Sequence, residues 1–593
     1  MKGETQAMLR RKYLSSFFKR NRLPYFVMFF SAILFSIFNL AVSWLVQQLI
    51  DTVAGVPGSL AFKRLAPLTI GFILLIIPLK ALNYISQPRF MKRAMTQVKE
   101  LAFEKLTQKN IASFQSETTS AYLSMFSNDL SAVEANYLEK QYVLVFNTVW
   151  GCGAVLLMVL NSPVLAAVAI GLCLLPFAVS SVTGAKLSEA EKAVSERNAG
   201  LVASLRDILG GFSVIKSFQA EVAALDLLRH SSESVEAEKY RKRKLSVILS
   251  AIGGLAGVLA QLGTFLAGAA LALSGRGITP GMIFIFLDLT GAVIVSIREM
   301  PELLANRKAA LALLDKMAAS LERNIRDEGM EISKHLEQGI SVHHLCFGYE
   351  AGHEILHDID INFEAGKSYA IVGNSGSGKS TLLDLLMSSH HDYAGTICFD
   401  GLELREISSR SLYGLVSVIE QNVFVFDASI RDNITLFRDF PAPEVDRAIE
   451  LSGLSQLIEQ HGTDYLCGEN GRGLSGGEKQ RLSIARSLLK NSSVLLADEV
   501  TAALDAQTAY QVTGDILRLE GITRIIVTHA LTGSLLRQYD GIIVLKDGRI
   551  VEQGTFEELL KQKGYFHALY TVRNKRVSGV PATGGRCGYE DSF

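Results

Sequence analysis

The 593 residues carry no net charge at neutral pH, 59 Lys and Arg standing against 59 Asp and Glu, so nothing electrostatic argues for a nucleic-acid partner. Hydrophobic residues make up 49% and mean hydropathy is +0.25, high for a soluble chain, and the length leaves room for several domains. The six cysteines (Cys152, Cys173, Cys346, Cys398, Cys467 and Cys587) include no C-x-x-C pair, which argues against a zinc site or a disulfide framework and fits a reduced, cytosolic C-terminal part.

Residues 1–22 hold seven basic residues (Lys2, Arg10, Arg11, Lys12, Lys19, Arg20, Arg22) and one acid, Glu4. A basic, aromatic stretch beside a long apolar run reads as a cytoplasmic amphipathic segment on a membrane surface; a frayed basic tail is the plainer alternative. Pro24 to Ile50 follows with 27 uncharged residues. That exceeds the roughly 7–15 apolar residues of a cleavable signal and suffices for a bilayer, which takes about 20.

Further uncharged runs are Leu65 to Leu79, resuming after Lys80 to Pro88, and Leu245 to Gly275; Gly277 to Ile297 holds one charge, Asp288. Gln141 to Ala185 is uncharged for 45 residues, too long for one span, and Asn161-Ser162-Pro163 is a turn signal near its middle. The reading is six spans, about 24–50, 65–88, 141–160, 164–185, 245–275 and 277–297. Lys and Arg concentrate in the two long loops, from Arg89 to Lys140 and from Lys186 to Lys244. Both loops and both termini are therefore expected in the cytoplasm. Each loop exceeds 50 residues and is poor in Gly and Pro. The sharper reading is that membrane helices continue into the cytosol and turn at short helices; the plainer one is ordinary soluble loops.

Residues 299–330 read as a helix leading into a charged linker. From about 339 the sequence becomes strand-rich, with Ile340 to Cys346, Ser368 to Val372, Val494 to Ala497 and Ile525 to Val527 alternating with helical segments. That pattern predicts an α/β domain with a substantial parallel sheet. The fold class is thus multidomain: an all-α six-helix transmembrane domain over 23–320 with long cytoplasmic helical extensions, then an α/β domain over 335–572. The Gly-rich tail, 573–593, is expected to be disordered.

The strongest motif is Gly373-Asn374-Ser375-Gly376-Ser377-Gly378-Lys379-Ser380-Thr381, which follows an apolar strand and opens a helix. Such a P-loop closes backbone N–H groups around phosphate oxygens, with Lys379 supplying charge to the β- and γ-phosphates and Ser380 a hydroxyl to Mg²⁺. Val494-Leu-Leu-Ala-Asp498-Glu499 is a strand ending in two acids. In P-loop nucleotide hydrolases the first such acid holds Mg²⁺ and the next can activate water. Adjacent acids at a strand end can equally be a helix cap or a solvated face.

Leu474-Ser475-Gly476-Gly477-Glu478 lies between them and resembles the signature motif of the ATP-binding-cassette family. Tyr349 resembles that family's adenine-stacking aromatic, Gln421 its Q-loop glutamine, Glu469 its exporter-specific X-loop, Ala503-Leu504-Asp505 its D-loop and His529 its switch histidine. Six spans with short outer loops, followed by the cassette, resemble an exporter-type half-transporter. Gly210 to Glu221 resembles the segment around the second coupling helix, and Phe114 to Asp129 stands where the first should be. Glu478 in place of Gln, the run Asp498-Glu-Val-Thr-Ala-Ala-Leu-Asp505, and Ala530 after His529 depart from the commoner pattern; none removes a group that touches phosphate, Mg²⁺ or water in the family.

The resemblance implies ATP-driven export or flipping of an amphipathic substrate (drug, lipid or peptide) by a membrane-embedded ATP hydrolase. The alternative is an ATP-gated channel or regulatory ATPase on the same architecture. It implies ATP and Mg²⁺ as cofactors, Glu499, His529 and Gln421 as catalytic residues, and Ser380, Gln421 and Asp498 as metal ligands. Tyr349, residues 373–381, Ser475, Gly476, Gly477 and Asp505 would bind ATP. The engine would be shared with a second half-transporter, a homodimer being expected and a heterodimer possible, in a bacterial plasma membrane among its lipids, with no nucleic acid. No peptidase-like segment precedes the first span, so leader-peptide cleavage is not expected. The substrate is open: Asp288, an acid inside a span, is the candidate contact, with pairing to a basic group or a watery wall as the plainer reading.

Overall fold

The computed structural model describes residues 2–323, 329–350, 352–499, 504 and 506–577. The chain divides into two units, one comprising Met1–Gln108 and Thr118–Arg323, the other Lys109–Glu117 and Asn324–Phe593.

The first unit is all helix: α1 (Lys2–Phe18), α2 (Arg22–Val53) and α3 (Phe62–Thr107), then, past the segment that belongs to the second unit, the later helices. That segment holds the short α4 (Ile111–Gln115). There follow α5 (Thr119–Asn161), α6 (Pro163–Gly210), α7 (Phe212–Ser217), α8 (Glu221–Leu273) and α9 (Pro280–Glu322). Turns form where the sequence offers caps. Ser162 accepts from the Leu165 N–H, and Pro163 opens α6 where its missing N–H costs nothing. Thr279 caps α9 in the same way, ahead of Pro280.

Among the described residues five helices (α2, α3, α5, α8 and α9) are long and apolar enough to cross a membrane. The expected fourth span, 164–185, corresponds to α6, whose described apolar part, Pro163–Val179, is shorter than the others. The last two expected spans are displaced by a few residues, because α8 ends at Leu273 and α9 begins at Pro280.

The N-terminal segment is not frayed. Tyr13 and Phe17 are fully buried. Arg10 forms a two-pronged ion pair with Asp315, and Lys12 meets Glu322 at 2.5 Å. Asp288 bonds to the Ser43 hydroxyl at 2.5 Å rather than to a base. Lys80 lies over the Phe35 ring, 4.1 Å from its centre.

Both long loops are helical extensions with a short helix at the tip. The first tip helix is α4, which begins earlier than the expected Phe114 to Asp129. Asn110 stops and caps the chain there, its Oδ1 accepting from Ser113 N at 2.7 Å, and Thr118 caps α5. Within the second unit, Ile111 N donates to Tyr413 Oη at 3.0 Å.

The second unit contains β1 (Gly339–Phe347), β2 (Leu356–Glu364), β3 (Ser368–Gly373), β4 (Ala394–Phe399), β5 (Leu402–Glu403), β6 (Val416–Ile419), β7 (Val494–Asp498), β8 (Thr523–Val527), β9 (Gly541–Lys546) and β10 (Arg549–Gly554). One sheet has the order β10-β9-β3-β8-β7-β6 and is parallel apart from β10. Its central strands bury both faces. Ala370, Val372, Leu495, Ala497 and Ile526 join one core, while Ile371, Val494, Leu496, Ile525 and Val527 join the other. Alternation with period two is hidden in the sequence because both sides are apolar. The other sheet, β2-β1-β4-β5, is antiparallel.

The five described cysteines are unpaired. The expected disorder from 573 is corrected in part: the helix Tyr565–Val577 continues past it, anchored by fully buried Phe566 and by Glu552, which accepts from the Tyr565 and Phe566 N–H groups. Residues 578–593, with Cys587, lie outside the described residues.

Candidate functional site

The parallel strands β3, β7 and β8 end side by side, and the candidate site is built on their C-terminal ends. The loop after β3 turns through Gly376 (φ 81°) and Gly378 (φ 94°) into α10 (Lys379–Leu386). A Cβ at Gly378 would stand 2.6 Å from Leu356 Cδ2, and one at Gly373 2.3 Å from the Leu545 carbonyl oxygen, so both positions require glycine. Lys379 is only 5% exposed. Its ammonium donates to the Asn374 carbonyl at 2.7 Å and the Gly373 carbonyl at 3.3 Å, with Ser377 Oγ at 3.5 Å. Asn374, Ser375 and Gly376 face solvent. The loop thus presents a buried cation at the floor of an exposed backbone cradle, the arrangement that receives a phosphate chain.

Asp498 ends β7 and shares a hydrogen bond with Ser380. Its Oδ1 is buried and has no hydrogen-bond partner among the described residues. Burial pushes the Asp498 carboxyl above the ordinary range against the opposing Ser380 bond, and the charge of Glu499 adds to the push. An orphaned carboxylate oxygen beside a serine hydroxyl fits a hard, oxygen-seeking dication such as Mg²⁺. Asp384 of α10, open to solvent along one side, is also pushed upward, by burial and then by the charges of Asp498 and Glu420.

Glu499 follows with φ 48°, a conformation that side chains other than glycine rarely adopt. Three bonds hold it there. Its N–H donates to Val527 O at 3.1 Å, Gln480 Nε2 donates to its carbonyl at 2.9 Å, and Gln421 Nε2 donates to Oε2 at 2.8 Å. His529 Nε2 lies 2.8 Å from Oε1. The carboxylate keeps 21% exposure, so water reaches it. Glu499, Gln421 and His529 are therefore together, with Asp498 next in sequence and Ser380 bonded to it.

Tyr349 is 54% exposed, its ring edge-on to Phe347 and to His390 at 5.1 and 5.3 Å and its hydroxyl 3.4 Å from Thr381 Oγ1. A half-open aromatic edge over the first turn of α10 suits a flat base. Ser475 caps α11 (Gly476–Lys490) in a reciprocal box with Glu478. Ser475 N and Oγ both donate to Glu478 Oε2, at 2.6 and 2.8 Å, and Glu478 N donates to Ser475 Oγ at 3.3 Å. The departure from Gln at 478 thus carries a cap. Ser475 and Gly476 are exposed and Gly477 partly so. Glu469 pairs loosely with Arg472 at 3.6 Å on the surface. Asp505 and Ala503 lie outside the described residues.

Sequence reading missed two residues of α11. Gln480 holds the Glu499 backbone. Arg486, whose burial pushes it down to about 10, donates to the carbonyls of Phe424 and Asn433, at 2.6 Å each, and to Asn433 Oδ1 at 2.7 Å. The readable signal was a polar stripe at helical spacing. Ser487 donates to Val418 O and Lys490 to Val416 O from the same helix.

A family described as "ABC transporter" matches residues 356–502, and one described as "ABC transporter transmembrane region" matches residues 25–297. The chain is 28% identical, over 95% of its length and 99% of the relative's, to an uncharacterized ABC transporter ATP-binding protein, YwjA, of Bacillus subtilis. It is 26% identical, over 93% and 97%, to an ATP-dependent lipid A-core flippase of Desulfotalea psychrophila. It is 29% identical, over 70% and 71%, to a beta-(1-->2)glucan export ATP-binding/permease protein, NdvA, of Rhizobium etli. The solved structure of a bacterial Atm1-family ABC exporter with ATP bound shares the fold, with a TM-score of 0.79 and 22% identity over 94% of this chain and 99% of that one. With a transmembrane region followed by a cassette in one polypeptide, the chain belongs to the ABC transporter family and has the exporter-type arrangement.

Proposed function

We propose that this chain is half of an ATP-hydrolysing exporter that moves or flips an amphipathic substrate across a bacterial plasma membrane, its termini and cassette on the cytoplasmic side. The observation that carries the reading is the Glu499 carboxylate, fixed between Gln421 and His529 beside an Asp498 oxygen with no partner among the described residues.

In this reading residues 373–381 bind the phosphates, Lys379 leaves its loop carbonyls for the β- and γ-oxygens, and Tyr349 stacks on adenine. Ser380, Asp498 and Gln421 would hold Mg²⁺, which would neutralise charge on the phosphates. Glu499 accepts the proton of the attacking water at a carboxylate oxygen, and His529 and Gln421 orient that water and the γ-phosphate. Positioning and charge stabilisation supply the rate.

The exposed Ser475, Gly476 and Gly477, and Asp505, serve the nucleotide of a second copy, so a homodimer completes two sites. Nucleotide that bridges two cassettes favours their closure, and hydrolysis releases it. The tips at α4 and α7 transmit that change to the spans. The lipid A-core flippase among the relatives supports an amphipathic substrate, with the Asp288 and Ser43 pair as a candidate contact.

Purified protein in nanodiscs, wild type against Glu499→Gln, tests this. Expected are loss of ATP hydrolysis and accumulation of ATP-bound closed dimers. Unchanged hydrolysis overturns the role of Glu499. Stimulation by a panel of lipids, glycans, peptides and drugs then identifies the substrate class.

A further inference from the structure

The face of the β1–β2 pair carries four metal-binding side chains that the nucleotide site does not use. A regular strand sends neighbouring residues to opposite faces, yet His343 and His344 are both exposed. The cause is a bulge. Val342 pairs with Ile361 and Leu345 with Ile359, so two residues of β1 oppose the single Asp360, and His344 takes φ 48°. A bulge of this kind re-aims side chains, and here it brings both imidazoles to one side. On β2, Asp358 and Asp360 stand two apart and reach that same side.

Three of the four side chains converge, and His343 reaches Asp360. His344 Nδ1 is 2.8 Å from Asp358 Oδ1 and 3.6 Å from Asp360 Oδ2, and His343 Nδ1 is 3.5 Å from Asp360 Oδ1, which also accepts from His344 N at 3.2 Å. The ligand atoms of His344, Asp358 and Asp360 all lie within 4.8 Å of one another. In a tetrahedral zinc site with bonds of about 2.0–2.1 Å, neighbouring ligand atoms are about 3.3–3.5 Å apart. The contacts at 3.5 and 3.6 Å are at or just beyond that spacing, and the third needs only a hydrogen bond to open.

We propose that His344, Asp358 and Asp360, with His343 beside Asp360, form a binding site for a divalent transition cation of the zinc class, which ties β1 to β2 on their exposed face. The His344 imidazole between two carboxylates, and the His343 imidazole beside them, turn the preference away from Mg²⁺ and Ca²⁺, which take oxygen ligands. They suit Zn²⁺ and, as its spectroscopic stand-in, Co²⁺. The site uses no cysteine, so cysteine spacing gave no sign of it.

The test uses the full-length protein without an affinity tag, stripped with a chelator and titrated with Zn²⁺ against a chromophoric competitor, then with Co²⁺. Expected is one Zn²⁺ per chain and the intense visible bands of tetrahedral Co²⁺. Partners behind a metal ligand are worth about 10–100-fold in affinity, so His344→Ala and Asp360→Asn, which each remove a ligand, should weaken binding at least about tenfold. Basal ATP hydrolysis and melting temperature in chelator should stay at wild-type values. Because the four side chains are exposed, both variants should fold, and the melting temperature in chelator verifies it. Zn²⁺ uptake equal in wild type and both variants, absence of uptake, or a weak octahedral Co²⁺ spectrum overturns the proposal.

Discussion

Replacing Gln480 with Leu tests whether Glu499 is held in place from behind. Gln480 is 3% exposed, and its amide reaches the Glu499 carbonyl at 2.9 Å. The φ of 48° at Glu499 costs a residue with a side chain about 1–2 kcal/mol. Stranding a buried acceptor costs about 1–3 kcal/mol. The two quantities are of one size, so the Gln480 bond is enough to decide whether Glu499 keeps this backbone. Leu fills the space but donates nothing. At about 1.4 kcal/mol per factor of ten, the expected loss in kcat is about tenfold. ATP affinity should stay within about twofold, since the P-loop keeps its own bonds. Single-turnover hydrolysis and binding of a fluorescent ATP analogue measure the two separately. A wild-type kcat with a lowered melting temperature would assign the bond to general stability and refute the reasoning.

Asp51 is 5% exposed and accepts from Thr279 Oγ1 at 2.9 Å and Gly281 N at 2.8 Å. Asp51→Ala should therefore cost about 1.5–3 kcal/mol, seen as a lower melting temperature in detergent, and Asp51→Asn should recover much of it. Tyr349→Ala should weaken ATP binding about 3–10-fold, the worth of an aromatic pair, whereas Tyr349→Phe should bind as wild type because the hydroxyl contact is long, 3.4 Å; equal affinity for Ala would remove the ring from the site. Asp498, raised in the folded state chiefly by burial, holds its proton more tightly folded than unfolded. The stability it contributes is present at low pH and is lost as pH rises above about 4 through its folded value. Melting of the metal-free protein in chelator across about pH 4–7 should show that decline, and Asp498→Asn should flatten it; an unchanged slope would count against the burial argument.

Much of the nucleotide site was legible because phosphate chemistry fixes residue types at fixed spacing. Glycine at 376 and 378, Lys379 and the acids ending β7 are demanded by backbone conformation and charge, and both demands show in a one-dimensional string. The spans were legible by length. The partners were not. Ser43 meets Asp288 across 245 residues and Arg486 meets Phe424 across 62, and no local pattern marks such pairs. The antiparallel sheet was obscured for a different reason. The bulge at His343 and His344 breaks the period-two alternation that would have announced β1 as half-buried. The first tip helix was placed late because Asn110, its cap, reads as one polar residue among many until its bond to Ser113 is seen.

Helix α11, read in the sequence only at its first turn, connects the parts that were read separately. Its first turn presents Ser475 and Gly476 to solvent, where the proposed dimer brings the partner's nucleotide. Its fifth residue, Gln480, holds the Glu499 backbone of its own chain. One and a half turns on, Arg486 grips the carbonyls of Phe424 and Asn433, just beyond Gln421. A helix of 15 residues that moves as a body carries a displacement imposed at Ser475 to Glu499 and to the segment after Gln421. Nucleotide bound against one chain's α11 would then bear on the Glu499 carboxylate of that same chain, the group proposed to activate water beside its own P-loop. In this arrangement the two sites of a dimer are joined through the signature helix, and Gln480→Leu, which leaves Ser475 and its Glu478 cap in place, cuts that link at one bond.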